Sequence, residues 1–265
     1  MCLRFRWELA GHTRILEAWY LMQLSVVVPV LNEAGNIEPL LVGVQSVLDG
    51  RYDFEVLYVD DGSCDATASE LETARRRHPR LRVVTHRRTC GQSAALRTGL
   101  MAARGRWIAT LDGDGQNDPD DIPRLLDVAG DMAAEGQLAL VAGYRKHRQD
   151  NALKRVSSRV ANAVRGRLLG DAIPDTGCGL KVFSRADFLT LPYFDHMHRF
   201  LPALFLRAGG RVASVEVNHR QRQRGQSKYG TLDRLLAGIV DLLGVMWLQR
   251  RACLAESTES GDALD

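Results

Sequence analysis

Residues Arg106–Asp121 read RWIATLDGDGQNDPDD, and this stretch decides how we interpret the rest of the chain. Its first part, RWIATL, is mostly apolar or β-branched, a composition that is typical of a buried strand. Aspartate and glycine follow at once, so the strand is predicted to end in a tight turn. In α/β proteins, ligands commonly bind where strands end in this way.

The predicted turn carries two carboxylates one residue apart, Asp112 and Asp114, with Gly113 and Gly115 beside them. Glycine lets the backbone turn tightly, so both carboxylates can approach one ligand. Mg²⁺ takes one or two protein carboxylates and fills its other positions with water and phosphate oxygens. We therefore interpret this turn as a site for a divalent metal ion and a diphosphate.

Two other interpretations apply to the same residues. An EF-hand loop requires Gly at its sixth position and Glu at its twelfth, whereas this chain has Asn117 and Pro123 there. A predicted strand also precedes the turn, where an EF-hand has a helix, so we exclude that motif. A plain polar turn remains open from this stretch alone, because aspartate and glycine are common turn residues.

The composition indicates a soluble α/β protein with one sizeable core. The chain has 265 residues, of which 45% are hydrophobic and 25% charged, with a net charge of +3. Its five cysteines are odd in number and form no CxxC pair, which favours a reducing, cytosolic compartment. Residues 1–21 contain charges and lack a continuous apolar segment, so we predict no signal peptide there.

Strands alternate with helices along most of the chain, which predicts a Rossmann-like α/β fold with a mostly parallel sheet flanked by helices. Pairs of polar residues follow the ends of four predicted strands. Because the carboxyl ends of parallel strands lie at the same edge of a sheet, we expect these pairs to form one site at that edge. These pairs are Asn32 with Glu33, Asp60 with Asp61, Arg87 with Gly91, and Asp112 with Asp114. We predict strands at 23–30, 54–59, 81–85, 106–111, 138–143, 180–183 and 212–217. We predict helices at 37–48, 65–78, 94–103, 122–134, 152–169, 198–207 and 231–251.

Both ends of the chain are predicted to lie outside the main domain of residues 22–230. We expect residues 1–21 to be a poorly ordered extension and residues 254–265 to be a disordered acidic tail. Residues 231–253 are predicted to form an amphipathic C-terminal helix at a membrane interface, since Asp241 opposes burial in hydrocarbon and Trp247 favours the headgroup region. A helix in the protein core is the alternative, because apolar runs of this length are ambiguous.

Several segments, in order, resemble the family 2 glycosyltransferases of the GT-A fold, and most of all the dolichyl- or polyprenyl-phosphate sugar transferases. The resemblance covers about Leu24–Arg251. It departs from the family at Leu31, where many relatives have Tyr, and at Thr89, where Asn is common. The segments are VVVPVLNEAGNI, VDDGSCDAT, GQSAALRTG, LDGDGQNDPDDIP with its D-x-D-x-Q metal motif, GYRKHR, DTGCGLKVF and RQRGQSKYG.

The resemblance implies a metal-dependent, inverting hexosyltransferase that uses a nucleotide-diphosphate sugar, and it implies roles for individual residues. The base and ribose pocket would be lined by Pro29, Leu31, Glu33, Asp60 and Asp61, and the donor site would also include Gly91, Asp112 and Gly113. Mg²⁺ or Mn²⁺ would be held by Asp114 and Gln116, together with Asp112. Arg145 would lie near the acceptor or leaving phosphates, and a loop with Arg222, Ser227 and Lys228 would close over the phosphates.

The sequence leaves two kinds of acceptor open. A polyprenyl phosphate is ionised at neutral pH and needs no general base, whereas a glycan or other hydroxyl acceptor in cell-envelope polysaccharide synthesis needs one. Asp175 is the candidate base, and a turn aspartate that binds its own backbone is the alternative. The apolar C-terminal helix favours a polyprenyl phosphate as the acceptor. We therefore expect a peripheral enzyme on the cytoplasmic side of the inner membrane.

Other classes of protein fit the sequence less well. A nucleotide-sugar-binding module without turnover would not require the D-x-D-x-Q motif together with the basic segment 219–230. A Rossmann dehydrogenase would carry GxGxxG after its first strand, and this chain does not. Nucleic-acid binding is not expected, because aromatic residues are not interleaved with the arginines. A homo-oligomer and a membrane-protein partner both remain open.

Overall fold

The computed structural model of the chain describes residues 22–136, 138–145, 165–171, 173–220 and 231–252, with only the backbone described for 231–237. The expectations for residues 1–21 and 254–265 therefore concern parts of the chain outside the described residues. The same holds for most of the basic segment 219–230 and most of the helix predicted at 152–169.

Strands and helices alternate along the described chain, as the sequence predicts. The strands are β1 (Met22–Val30), β2 (Phe54–Asp60), β3 (Leu81–Thr85), β4 (Gly105–Thr110), β5 (Ala139–Tyr144), β6 (Lys181–Ser184) and β7 (Arg211–Glu216). The helices are α1 (Ile37–Leu48), α2 (Thr67–Arg77), α3 (Gln92–Ala102), α4 (Ile122–Ala134), α5 (Arg185–Leu189), α6 (Leu201–Arg207) and α7 (Thr231–Arg250). Short 3₁₀ turns lie at Pro119–Asp121 and Met197–Arg199, and residues 165–169 are also helical.

The seven strands form one sheet in the order β3-β2-β1-β4-β6-β5-β7. All neighbouring pairs are parallel except those of β6, which runs antiparallel to both β4 and β5. This arrangement confirms the mostly parallel α/β class. Because β6 is antiparallel, its first residue, Lys181, pairs with Thr110 at the end of β4. The loop before β6 is therefore delivered to the edge of the sheet where Asp112 lies.

Helices cover both faces of the sheet, so its strands are apolar on both sides. In β1, Val26 and Val28 belong to the hydrophobic cluster with α1, α2 and α4, whereas Val27 belongs to the cluster with α3 and α6. All three side chains are fully buried. Each such side chain contributes about 1.5–3 kcal/mol relative to an exposed one, so β1 is fixed between the two layers.

Three helix starts differ from the predictions, among them that of α2, which begins at Thr67 rather than at residue 65. Helix α3 begins at Gln92 with Gly91 as its N-cap at φ 92°, a left-handed conformation that favours glycine. Ser93 therefore does not cap this helix, and its hydroxyl instead contacts His198 Nδ1 at 2.7 Å. The helix predicted from His198 begins at Leu201, because Pro202 is favoured in the first turn of a helix.

The C-terminal helix α7 has one buried side and one exposed side. Val245 is 1% exposed and belongs to the cluster with α3 and α6. On the other side, Val240, Leu243 and Trp247 are 68%, 60% and 59% exposed. Nowhere in the described part of the chain does a helix combine the length and hydropathy needed to span a bilayer. The helix thus packs on the core through one side and presents an apolar surface through the other.

Candidate active site

A cleft of about 420 Å³ lies at the carboxyl ends of β1 and β4. Its walls come from six parts of the chain: the end of β1 with the turn after it, Asp61 after β2, the start of α3, the end of β4 with the turn after it, the loop before β6 with Lys181, and the segment from His198 to Leu201. Of the residues predicted for the site, those that line the cleft are Pro29, Leu31, Glu33, Asp61, Asp112, Gly113, Asp114 and Gln116.

Asp112 lines the cleft just after the end of β4. Its Oδ1 accepts a hydrogen bond from Gln92 Nε2 at 2.9 Å, and its backbone N–H donates to Asn117 Oδ1 at 2.9 Å. Burial raises the pKa of Asp112 to about 6, and the neighbouring charge of Asp114 adds to this effect. Lys181 opposes the rise in pKa. A second cation beside Asp112 and Asp114 would relieve their repulsion, as expected where a metal ion binds.

Asp114 and Gln116 lie beside a residue that the sequence analysis did not single out, His219. The Gln116 N–H donates to Asp114 Oδ1 at 3.1 Å, and Gln116 Nε2 lies 3.4 Å from His219 Nε2. Asn117 forms a β-bridge with His219, which holds the imidazole at this position. The only signal in the sequence was that His219 opens the basic segment 219–230.

These side chains fit a divalent metal ion. Carboxylate and amide oxygens suit Mg²⁺ and Mn²⁺, and the His219 imidazole offers a further donor atom. Asp112, Asp114, Gln116 and His219 would hold the ion. The metal ligands predicted from the sequence, Asp112, Asp114 and Gln116, line the same cleft, and their role at a metal ion stays a prediction.

At the other end of the cleft, Asp61 organises the backbone after β3. Its Oδ1 accepts from the Cys90 N–H at 2.9 Å and lies 2.7 Å from His86 Nδ1, while its Oδ2 accepts from the Gly91 N–H at 2.8 Å. Asp60 accepts from the Ser63 N–H at 2.9 Å. Among the described residues, Asp60 and Gly91 are not part of the cleft lining. Asp60 and Gly91 would therefore act on the nucleotide indirectly, by shaping the turns that surround its pocket.

Arg145 and Asp175 form a buried ion pair with two parallel contacts. Arg145 Nε donates to Asp175 Oδ2 at 2.6 Å and Arg145 Nη2 donates to Oδ1 at 3.0 Å. The two side chains are only 10% and 8% exposed. Both carboxylate oxygens of Asp175 are thus engaged by the guanidinium, which works against its predicted role as a general base. The positive charge of Arg145 is in turn balanced by the carboxylate of Asp175. The location of Arg145 near the phosphates stays a prediction.

Three further side chains that line the cleft are basic or carry an imidazole: Lys181, His198 and Arg199. Lys181 is 5% exposed and donates to the Cys178 carbonyl, and burial lowers its pKa. Burial, with a smaller effect of Arg199, lowers the pKa of His198 to about 3, so its imidazole is neutral at physiological pH. Lys181 lies in the DTGCGLKVF segment, whereas nothing in the sequence pointed to His198 or Arg199. Arg222, Ser227 and Lys228 lie outside the described residues.

The mostly parallel sheet, with an acidic cleft where its central strands end, has the architecture of the GT-A fold. The family model for glycosyl transferase family 2 matches residues 25–191, and the chain belongs to that family. It is therefore a glycosyltransferase, as the resemblance in its motifs implied.

Its curated relatives include enzymes of polyprenyl-phosphate sugar transfer. The dodecaprenyl-phosphate galacturonate synthase of Rhizobium johnstonii is 38% identical over 237 residues, which are 86% of this chain and 68% of that protein. The undecaprenyl-phosphate 4-deoxy-4-formamido-L-arabinose transferase of Edwardsiella ictaluri is 33% identical over 222 residues, 83% of this chain and 66% of that protein. The chain thus spans about two thirds of the length of these relatives.

Solved structures with a similar fold include glucosyl-3-phosphoglycerate synthase from Mycobacterium tuberculosis. Its complex with Mg²⁺ and uridine-diphosphate has a TM-score of 0.64 at 22% identity, covering 94% of this chain and 85% of that chain. Its complex with Mn²⁺, uridine-diphosphate and glucosyl-3-phosphoglycerate has a TM-score of 0.63, also at 22% identity, covering 94% and 86%. At this level of identity the comparison shows a shared fold.

Proposed function

We propose that this enzyme transfers a sugar from a nucleotide-diphosphate sugar to a polyprenyl phosphate at the cytoplasmic face of the inner membrane. The observation that carries the proposal is a cleft lined by Asp112, Asp114 and Gln116 together with the cations Lys181 and Arg199. The relatives from Rhizobium johnstonii and Edwardsiella ictaluri, which are named for dodecaprenyl phosphate and undecaprenyl phosphate, support the acceptor class.

The acidic centre of the cleft would bind the donor. Asp114, Gln116 and Asp112 would hold Mg²⁺ or Mn²⁺, which when bound neutralises charge on the leaving diphosphate. Gln92 fixes Asp112 through their 2.9 Å hydrogen bond. The base and ribose would lie toward Pro29, Leu31, Glu33 and Asp61, which line the same cleft.

The reaction proposed here needs no proton transfer in its first step. An oxygen of the ionised acceptor phosphate forms a bond to the anomeric carbon while the bond from that carbon to the donor diphosphate breaks. The nucleoside diphosphate leaves with the electron pair, and the configuration of the sugar inverts. Arg145 engages both oxygens of Asp175, the candidate base for a hydroxyl acceptor, and this supports an acceptor that needs no general base.

The exposed side of α7 would hold the enzyme at the membrane surface. Val240, Leu243 and Trp247 recur at helical spacing, and each is more than half exposed. Aromatic and aliphatic side chains arranged in this way insert at the boundary between headgroups and acyl chains. A peripheral position of this kind would bring a lipid acceptor to the enzyme while its chain stays in the bilayer.

A screen of nucleotide sugars tests the proposed reaction. Each sugar nucleotide would be incubated with the enzyme and Mg²⁺ or Mn²⁺, with and without a short-chain prenyl phosphate, and free nucleoside diphosphate would be measured. We expect one donor to release nucleotide only when prenyl phosphate is present, with formation of a prenyl-phosphate sugar. Transfer to a glycan hydroxyl but not to prenyl phosphate would contradict the proposal.

Vesicle binding tests the membrane surface separately. Because Val245 is in the core, deleting α7 would disturb folding, and point substitutions on its exposed side are the better perturbation. Leu243→Gln combined with Trp247→Gln should lower co-sedimentation with anionic lipid vesicles at least tenfold. Val42→Gln is the matched control, since Val42 is an exposed apolar residue on α1. Equal vesicle binding by both variants would show that α7 does not contact lipid.

A further inference from the structure

Arg199 is a cation of the cleft wall that sequence reasoning did not identify. It is partly buried, and it lines the same cleft as Asp112 and Lys181. Within the described residues, no carboxylate lies within ion-pair distance of its guanidinium. Arg145, the cation predicted to contact phosphate, is by contrast paired on two nitrogens with Asp175. A guanidinium fork is well suited to bind a phosphate group with two hydrogen bonds.

Contacts with neighbouring segments hold the short turn Met197–Arg199 in place. Met197 is 2% exposed, and His198 is held by the Ser93 hydroxyl at 2.7 Å from its Nδ1. The carbonyl of Arg199 accepts from Arg165 Nη1 at 3.4 Å. The backbone of the turn is therefore anchored, and only the side chain of Arg199 remains to respond to a ligand.

The same turn is joined to the C-terminal helix. His196 precedes the turn in a left-handed conformation, φ 62°, and its Nδ1 lies 2.8 Å from Asp241 Oδ2 on α7. Asp241 is thus the partner of a loop residue beside the cleft. Asp241 follows Val240, which is 68% exposed on the apolar side of the helix. One short chain of contacts therefore connects the apolar surface of α7 to the cation in the cleft.

We propose that Arg199 binds the phosphate of the lipid acceptor and that the contact of His196 with Asp241 positions Arg199 relative to the membrane-facing helix. This inference rests on the proposed function and specifies the acceptor subsite. A phosphate at Arg199 would lie in the cleft wall opposite the donor's metal-binding residues, and its lipid chain would leave the cleft along α7. Arg199 acts by direct contact, whereas His196 and Asp241 are positioning residues.

Binding measurements that need no sugar donor test the assignment. The probe is a water-soluble short-chain prenyl monophosphate, and titration calorimetry on the full chain gives its Kd; the neutral prenyl alcohol of the same length is the control ligand. Arg199→Gln should weaken binding of the prenyl phosphate by about tenfold to 100-fold, the loss expected for a hydrogen bond to a charged group. Binding of the prenyl alcohol and of nucleoside diphosphate with Mn²⁺ should stay within about twofold.

Matched variants separate direct contact from positioning. Arg199→Lys keeps the charge but not the fork and should lose less than Arg199→Gln, while Arg76→Gln, an exposed arginine on α2, should change nothing. Asp241→Ala should weaken prenyl-phosphate binding severalfold, and the double variant with Arg199→Gln should bind no worse than Arg199→Gln alone. In turnover, Arg199→Gln should raise KM for the acceptor and leave KM for the donor unchanged.

The outcomes distinguish this inference from the proposed function. If the unmodified enzyme binds prenyl phosphate no better than prenyl alcohol and transfers no sugar to it, the acceptor class is wrong and the inference fails with it. If it binds and uses prenyl phosphate but Arg199→Gln has no effect, only the subsite is wrong. If Arg199→Gln weakens nucleoside diphosphate binding more than prenyl-phosphate binding, Arg199 belongs to the donor site.

Discussion

Replacing Gly179 with alanine would perturb Asp112 without altering any side chain that contacts substrate. A methyl group on Gly179 would lie 2.6 Å from Asp112 Oδ1, and closer still to Oδ2 and to the carboxylate carbon. Ordinary contact at such a position begins at 3.4 Å, so the closest of these atoms must separate by about 1 Å. The carbonyl of Gly179 accepts a hydrogen bond from Thr110 Oγ1 at 2.6 Å, which holds the backbone in place. The Asp112 carboxylate is therefore the group that moves.

A displacement of this size has a calculable effect on turnover. A misplacement of about 1 Å in a reacting assembly costs roughly 100-fold in rate, because the bound groups leave their productive geometry. Rotating Asp112 would also break its 2.9 Å hydrogen bond with Gln92. The added methyl should lower the free energy of unfolding by about 1–3 kcal/mol, the usual cost of overpacking. Catalysis should thus be affected far more than folding.

The assay is steady-state turnover of Gly179→Ala, together with urea unfolding and nucleotide affinity. Gly130→Ala on α4 is the control, because a methyl there meets nothing within 4 Å and should stabilise the helix by about 0.5–1 kcal/mol. Turnover of Gly179→Ala within threefold of the unmodified enzyme, with normal stability, would show that Asp112 need not be held where it lies.

Three further predictions follow from the same geometry. Asp114→Asn should leave the fold intact and abolish turnover, and calorimetry with Mn²⁺ should show weakened metal binding; unchanged metal affinity would refute the assignment. Asp175→Asn should lower the free energy of unfolding by about 3–5 kcal/mol, since it leaves the Arg145 guanidinium buried without its partner, and urea unfolding showing a loss below about 1 kcal/mol would contradict this. His198→Gln should flatten the acid side of the stability profile. Burial lowers the folded-state pKa of His198 to about 3, so between pH 6.5 and 3 only the unfolded chain takes up this proton. The free energy of unfolding therefore decreases as the pH is lowered through this range, by at most about 1.4 kcal/mol per pH unit. Equal slopes for the two proteins in that window would refute this.

Local patterns in the sequence were sufficient for most of the secondary structure. The helices Ile37–Leu48 and Ile122–Ala134 and the strand Leu81–Thr85 agree residue for residue with their predictions. Apolar periodicity and turn residues act over a few positions, so they define such elements well. The boundary at Leu201 was misplaced by three residues, because the prediction did not weigh Pro202, which favours the first turn of a helix.

Local patterns could not predict contacts that depend on the order of the strands. The D-x-D-x-Q motif located Asp112 and Asp114, but nothing in it pointed to His219, which reaches Gln116 from more than 100 positions away. The contact of Ser93 with His198 spans a similar separation, 105 residues. Such pairs are determined by the path of the chain around the sheet, and no short motif encodes that path.

The insertion of β6 between β4 and β5 changes which cation is available to the acceptor. Because β6 runs antiparallel, the loop before it reaches the edge of the sheet where β4 and β5 end. Asp175 in that loop neutralises Arg145, which follows β5 and was the cation expected from sequence. Arg199, the residue proposed above for the acceptor phosphate, lines the cleft, and His196 in the same segment contacts Asp241 on α7. This arrangement is compatible with the proposed lipid phosphate acceptor, whose chain would leave the cleft beside α7.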